Sequence, residues 1–456
     1  MADVQGRLAA VVGPQHVLSG DDIPDDYGHD EALSVAPQRP AAVVRPADTA
    51  EVAAVLAVAA ELGLPVTARG SATGLSGACR PVEGGLVVSF ERMAAVIDID
   101  LENHVVVVQP GVTLAQLDEA LAPHGLMYPV RPGEDSASLG GNIGTNAGGM
   151  RAVKYGVTRH HVLGLEAVLP TGEVIRTGGR YSKGSTGYDL TQLIVGSEGT
   201  LALVTEAILR VYPRLAHGAT LLAPFPTLED VTAAVPQVVA SGLGPLMCEY
   251  IDMLTMAAIT GSAQLELGLP QQVKDTAQAY LVVQLEGRSA ERVEEDAAEL
   301  GELLTKLAAI DVYVLPSTSA RRLVDAREKA FWTAKAAGSD DIVDIVVPRA
   351  AISALLTAAT AVAAEHGSLV IGCGHAGDGN VHLSVFQPDA DARKATLRGL
   401  FTAGVQLGGT ISGEHGVGRE KREYYLELED PAKVALLRRI KAAFDPGALL
   451  NPGVLL

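Results

Sequence analysis

Apolar positions recur along the chain with two different spacings, and each change of spacing marks a change of element. Residues 1–37 hold one short helical pattern followed by an acidic loop, DDIPDDYGHDEA, and read as a lead-in. After Arg39-Pro40, residues 41–45 form a short apolar strand. Asp48 then N-caps a helix with Glu51 as its capping-box partner, and Gly63 closes it as the C′ residue. A second strand (64–69) follows, then short strands in GLVVSF, AVIDID and HVVVVQPG, the last an almost continuous buried run. VTLAQLDEALAPHG is a further helix, ended by Gly125. From about residue 216 long helical stretches such as SAERVEEDAAELGELLTKLAA and RAAISALLTAATAVAAEHG alternate with strands such as QAYLVVQLEG and SLVIGCGH, the pattern of an α+β second domain. Asp430 and Pro431 start a last helix whose buried stripe is Val434, Leu437, Ile440 and Phe444.

Four small-residue stretches interrupt this pattern. The first, Gly70-Ser71-Ala72-Thr73-Gly74-Leu75-Ser76-Gly77, follows a strand but lacks GxGxxG spacing, which disfavours a Rossmann dinucleotide site. Bare backbone in such a turn presents successive N–H groups to a diphosphate, with Arg69 adding charge; a plain surface turn explains one such loop as well. Residues 132–149, PGEDSASLGGNIGTNAGG, read as one long loop, too rich in Gly, Ser and Asn for a regular element. KGSTGYD (183–189) and VGSEGTL (195–201) complete the set. Together they suit a flat, hydrogen-bonding ligand lying along the backbone.

Composition narrows the possible partners. The chain has 456 residues, and 54 acidic side chains against 35 basic give it a formal charge of −19, which disfavours binding to a phosphate backbone. Cys79, Cys248 and Cys373 form no CxxC pair and leave an odd number, so neither a disulfide framework nor a thiolate zinc site is expected, and a reducing cytoplasm is. The N-terminus lacks signal-peptide character, and no apolar run approaches the ~20 residues of a membrane-spanning helix. A soluble protein is expected.

A second chemistry lies further along. In Gly374-His375-Ala376-Gly377-Asp378-Gly379-Asn380-Val381-His382 two strands flank turn-forming residues, and a ladder closed across them would set His375 opposite His382. Their Cβ atoms would then stand about 5 Å apart, close enough to share a divalent ion. A pair of hydrogen-bonding histidines is the alternative. Thirty residues on, Ser412-Gly413-Glu414-His415-Gly416 offers Glu414 as a third ligand. If that stretch is extended, His415 points away from Glu414 and acts beside the ion without binding it.

The order of RGSATGLSG, PGEDSASLGGNIGTNAGG, KYG and VGSEGTL resembles the flavin-binding domain of vanillyl-alcohol-oxidase-type flavoproteins. GHAGDGNVH followed by SGEHGVG is similar to the C-terminal domain of the D-2-hydroxy-acid dehydrogenases, a group that includes D-lactate dehydrogenase, D-2-hydroxyglutarate dehydrogenase and the D subunit of glycolate oxidase. The resemblance implies an α+β flavoprotein: lead-in 1–37, a two-part FAD domain 38–215, a cap with antiparallel sheet 216–420, and a C-terminal helix 421–456 returning to the FAD domain. It places FAD on Arg69, Gly70, Ser71, Ala72, Thr73, Gly74, Ser76, Gly77, Pro132, Gly133, Ser138, Gly140, Gly141, Asn142, Thr145, Asn146, Gly149, Glu198, Gly199 and Asn451. The FAD is non-covalent, since Ser71-Ala72-Thr73 offers no attaching His. By the same resemblance His375, His382 and Glu414 hold Zn²⁺ or Mn²⁺, His415 is the base, and Arg327 pairs with the substrate carboxylate; a solvated helix charge is the other reading of Arg327.

The chain departs from the hydroxyglutarate enzymes at two positions, with Ile342 where they carry lysine and Ser384 where an asparagine follows the second histidine. These departures point to a short or apolar D-2-hydroxy acid. The expected acceptor is a quinone, a cytochrome or an electron-transfer flavoprotein, and a homodimer or a subunit of an oxidase complex is the expected assembly. Rival readings are flavin-dependent alkyl transfer, whose enzymes carry a run of histidines where this chain has Gly413-Glu414-His415, a non-catalytic flavoprotein subunit, and an oxidase using O₂.

Overall fold

The computed structural model describes residues 2–456. Its chain order is dictated by well-capped helices between short strands. In the helix Thr49–Leu62 the Asp48 side chain accepts from Glu51 N–H, and Gly63 closes the last turn at φ 62°. The Glu51 carboxylate accepts from Ala47 N–H at 2.7 Å, one residue earlier than a standard capping box requires. Val52, Val55, Leu56 and Ala59 pack inward, and helix and strands share one core.

Three main sheets result. The first has four strands in the order Val17–Ser19, Ala42–Val44, Leu86–Ser89, Val66–Arg69, the last three parallel. The second is an antiparallel five-stranded sheet ordered Val96–Asp100, Val105–Val108, Leu203–Arg210, Val162–Val168, Val174–Gly178. The third is antiparallel with seven strands: Tyr313–Val314, His217–Phe225, Ala279–Gly287, Met247–Asp252, Leu369–Gly374, Asn380–Phe386, Asp341–Val346. This is an α+β arrangement with the large antiparallel sheet in the second half of the chain, as the sequence predicts. At the C-terminus Asn451 N–H donates to Val66 O at 2.7 Å and Lys441 Nζ to Thr200 O at 2.7 Å, joining the tail to the first sheet and its surroundings.

Two expectations need correction here. Residues 132–149 are not one loop, because Leu139–Thr145 is a helix, N-capped by Ser138 accepting from Gly141 N–H and closed by Asn146 at φ 57°. Glycine's low helix propensity is overridden by packing: a Cβ on Gly140 would stand 2.6 Å from Pro110 Cβ, so only glycine lets the helix approach that closely. In the final helix Pro431–Phe444 only Val434 is fully buried, while Leu437, Ile440 and Phe444 are half-buried. It packs as a surface element.

Among the described residues no helix is long and apolar enough to cross a membrane.

Candidate active site

Strand alternation decides which side chains meet. On the seven-stranded sheet Cys248, Tyr250, Val343, Ile345, Val381, Leu383 and Val385 face one core. The intervening residues Glu249, Ile342, Asp344, His382 and Ser384 must face the other side, because side chains alternate along a strand. That side receives the helix Ser317–Glu328, which carries Arg327, and the 410–418 segment.

His375 lies just past the end of Leu369–Gly374, and its carbonyl accepts from Asp378, Gly379 and Asn380 N–H at 3.2 Å each. His382 is therefore paired with Cys373, not His375, which corrects the expected register. The imidazoles still meet edge to face, with centroids 4.9 Å apart. His375 Nε2 lies 3.2 Å and His382 Nε2 3.3 Å from Glu414 Oε1, so two nitrogens and one oxygen converge. The far nitrogen of His375, Nδ1, contacts both Glu249 oxygens at 2.8 and 2.9 Å.

The 412–416 loop is curled rather than extended, a further correction. Its backbone wraps around Asp344, whose Oδ2 accepts from Gly413 N–H (3.0 Å), Glu414 N–H (2.9 Å), His415 N–H (2.8 Å) and Ser412 Oγ (2.9 Å). Oδ1 accepts from Asn380 Nδ2 at 2.7 Å. As a result His415 stays beside Glu414, with Nε2 3.9 Å from Glu414 Oε1 and its ring 5.1 Å from that of His382. His415 Nδ1 is buried without a hydrogen-bond partner.

The electrostatics follow from burial and neighbours. Burial opposes a charge on His375, but the Glu249 and Glu414 carboxylates outweigh it and hold the pKa well above the imidazole range. Burial would raise Glu414, yet His375 and His382 hold it well below the usual carboxylate range. Burial pushes His415 down to about 4, against the pull of Asp344. The cluster thus demands positive charge between Glu249 and Glu414. Two imidazoles and a carboxylate, with one imidazole braced by a second carboxylate, are a donor set that fits Zn²⁺ or Mn²⁺.

Arg327 is 6 % exposed, so it is not a solvated helix charge. Its Nη2 lies 2.9 Å from Glu249 Oε2, yet neither Nη2 nor Nε makes a well-formed hydrogen bond. It lines one pocket with His375, His382, Glu414 and His415, and Ile342, Ile371, Phe331, Phe386 and Ser384 supply much of the remaining wall. Ile342 and Ser384 are partners across the strand pair.

An adjoining pocket opens on the loops assigned to FAD. Gly70, Ser71, Ala72, Thr73, Gly74, Ser76, Pro132, Gly133, Ser138, Gly141, Asn142 and Thr145 line it, and Glu414 and His415 reach it from the other half. A third pocket continues past Arg69, Gly140, Glu198, Gly199 and Asn451. Two features fit a flavin dinucleotide: Asn142 Nδ2 is buried without a partner, and a Cβ on Gly70 would stand 1.9 Å from Ser138 Oγ. Ala72 holds φ 55°, the kind of backbone strain that collects at ligand clamps.

Gly77, Asn146 and Gly149 line none of these pockets: Gly77 packs on Val35, Asn146 caps its helix and accepts from Arg159 N–H, and Gly149 backs onto Arg131 O. Arg69 donates to His29 O at 2.8 Å and lies over the Tyr27 ring. Glu198 spends both oxygens on Val417 and Gly418 N–H, at 2.9 and 2.7 Å, and burial raises its pKa to about 7. Glu249 and Asp344 were not singled out in the sequence. Their signal was there, since each is a carboxylate flanked by apolar residues in a strand run, MCEYI and IVDIVV, where burial demands a partner.

Fold and site together define an FAD-linked oxidoreductase. Residues 40–178 match the FAD binding domain and residues 214–455 the C-terminal domain of FAD linked oxidases. The chain is 58% identical over its whole length to an uncharacterised FAD-linked oxidoreductase of Mycobacterium tuberculosis, covering 99% of that protein. It is 37% identical to a D-lactate dehydrogenase of Anaerostipes hadrus, over 97% of this chain and 95% of that one. Among solved structures, 4-ethylphenol oxidase from Gulosibacter chungangensis superposes with a TM-score of 0.81 at 20% identity, covering 99% and 96% of the two chains, a likeness of fold. The chain belongs to the FAD-linked oxidase family, in the branch of the D-lactate, glycolate and D-2-hydroxyglutarate dehydrogenases.

Proposed function

We propose that the chain oxidises a short or apolar D-2-hydroxy acid, such as D-lactate, glycolate or D-2-hydroxybutyrate, to the 2-oxo acid. The observation that carries this reading is the convergence of His375 and His382 on Glu414 in a pocket that also holds His415 and Arg327. When bound, a Zn²⁺ or Mn²⁺ ion held by His375, His382 and Glu414 supplies Lewis acidity, and FAD supplies the hydride acceptor. Arg327 offers its unsatisfied donors to the substrate carboxylate, a task suited to a planar fork. His415, kept neutral by burial, is free to take the hydroxyl proton as C2 gives up its hydride, so one proton and one hydride leave together.

Selectivity rests on the far wall. Ile342 and Ser384 bring no cation for a second carboxylate, and Arg131, which also lines the pocket, is committed to Glu328 at 2.8 Å. Electrons then pass to a quinone, a cytochrome or an electron-transfer flavoprotein. A steady-state comparison of D-lactate, L-lactate, glycolate and D-2-hydroxyglutarate with an artificial acceptor tests the assignment. D-lactate should exceed D-2-hydroxyglutarate in kcat/KM by about tenfold or more, the scale set by leaving one carboxylate unpaired. Faster turnover of D-2-hydroxyglutarate would overturn the substrate assignment.

A further inference from the structure

Behind the substrate pocket lies a second cavity of ≈ 300 Å³, and the two share Met150, Arg131 and Glu328 as wall. Met247 and Thr220, both buried, lie deep in it, while Ser317 and Arg321 are exposed. Three guanidinium groups line the cavity, those of Arg131, Arg151 and Arg321, against the two carboxylates of Asp325 and Glu328. In a chain of net charge −19 such an excess of cations does not follow from composition.

Arg151 is the informative residue. Arg131 is neutralised by Glu328 at 2.8 Å and approached by Asp135 at 3.6 Å, whereas among the described residues no carboxylate forms an ion pair with Arg151. Its hydrogen bond goes to Met127 Sδ at 3.9 Å, a weak acceptor for a guanidinium. Glu286, whose charge it feels, is already held by Lys154 Nζ at 2.9 Å and Tyr155 OH at 2.7 Å. Arg151 is half-buried, and desolvation and repulsion from Arg131 outweigh the attraction of Glu286 and Glu328, neither of which forms an ion pair with it. Burying a charge without a counter-ion is unfavourable, and an anion in the cavity would remove the penalty.

We propose that this cavity is a binding site for a small oxyanion, carboxylate or phosphate, gripped by Arg151 and approached past Arg321. Gln284, Thr220 and Ser317 provide further polar groups on the wall. A guanidinium binds either ligand through paired N–H donors. The site is separate from the substrate carboxylate position at Arg327, and it stands whether or not the proposed hydroxy acid is the right one.

The test is calorimetric titration of the FAD-loaded protein with citrate and with inorganic phosphate, each against sodium chloride at matched ionic strength. One saturable site for at least one oxyanion is expected, and the tighter ligand identifies the source as carboxylate or phosphate. Arg151→Gln should weaken it by about tenfold or more, the scale of a lost charge-assisted pair. Ser317→Asp, at the exposed start of its helix where an acidic residue is well tolerated, should weaken it by repulsion even if Arg151→Gln folds poorly. Arg292→Gln, on an exposed helix position paired with Asp296, should change nothing. No saturable binding beyond chloride, or Arg151→Gln and Ser317→Asp both binding as the parent does, would overturn the proposal. A carboxylate bound at Arg327 instead would show itself by surviving both substitutions.

Discussion

Asp344 lines neither the substrate pocket nor the two flavin-side pockets, yet it sets where Glu414 and His415 stand. Its side chain is fully buried, and three backbone N–H groups and a hydroxyl close on one of its oxygens. Charge-assisted bonds of this kind are about twice as strong as neutral ones, and an amide in the same place would lose the charge and set its NH₂ against a donor on one side or the other, the loop N–H groups or Asn380 Nδ2. Asp344→Asn should therefore lower metal affinity by roughly 10–100-fold, the range for residues that orient ligands, with the flavin spectrum retained. Metal content after dialysis against a graded chelator reads it out, and unchanged retention would contradict the role. Ile342 carries the second prediction. Ile342→Lys puts an ammonium on the far wall, so the kcat/KM ratio of D-2-hydroxyglutarate to D-lactate should rise by about tenfold or more. The histidines and Glu414 were legible in the sequence because their residue types announce metal chemistry. For Asp344 and Glu249 the apolar flanks signalled burial but not the partners, which come from loops and strands distant in sequence.

At the scale of elements, the strands and capped helices followed from period and capping residues, since those signals act within a few positions. The helix Leu139–Thr145 did not, because its cause is non-local: five glycines or small polar residues become helical only against Pro110 and the Ser138 cap. Gly140→Ala puts a Cβ on Pro110 and should displace this helix from the dinucleotide pocket. The expected outcome is a cost of about 1–3 kcal/mol from overpacking, with weaker FAD retention on gel filtration. An alanine variant that holds FAD like the parent would show that the close approach is dispensable. The turn after Leu369–Gly374 was misread by two residues of register, because glycine-rich turn material does not say where a ladder stops. The imidazoles meet regardless, since diagonal neighbours across a strand pair remain within reach.

On the scale of the whole molecule, the reactive loop is held between the two halves. Asp344 anchors it from the seven-stranded sheet, and Glu198 of the FAD half takes Val417 and Gly418 N–H. The halves therefore bring His415 to the flavin-side pocket together. Global stability should also depend on pH through His161, which is fully buried with Nε2 unpartnered and lies between the rings of Tyr128 and Tyr212. Burial lowers its pKa to about 4, while the unfolded chain takes up the proton near the ordinary value of 6.5. The stability it contributes is thus present above that value and is lost as pH falls toward 4. Denaturant midpoints should show a loss of up to about 3 kcal/mol over that window that is absent from His161→Phe.

The most direct test of metal-assisted hydroxy-acid oxidation is anaerobic stopped-flow absorbance of the bound flavin after mixing with D-lactate. The metal-replete protein should bleach rapidly with D-lactate and not with L-lactate, lose that phase on chelation, and regain it with Zn²⁺ or Mn²⁺. Flavin that stays oxidised in the metal-replete protein, or bleaches equally fast after the metal is stripped, would contradict the roles assigned to His375, His382 and Glu414.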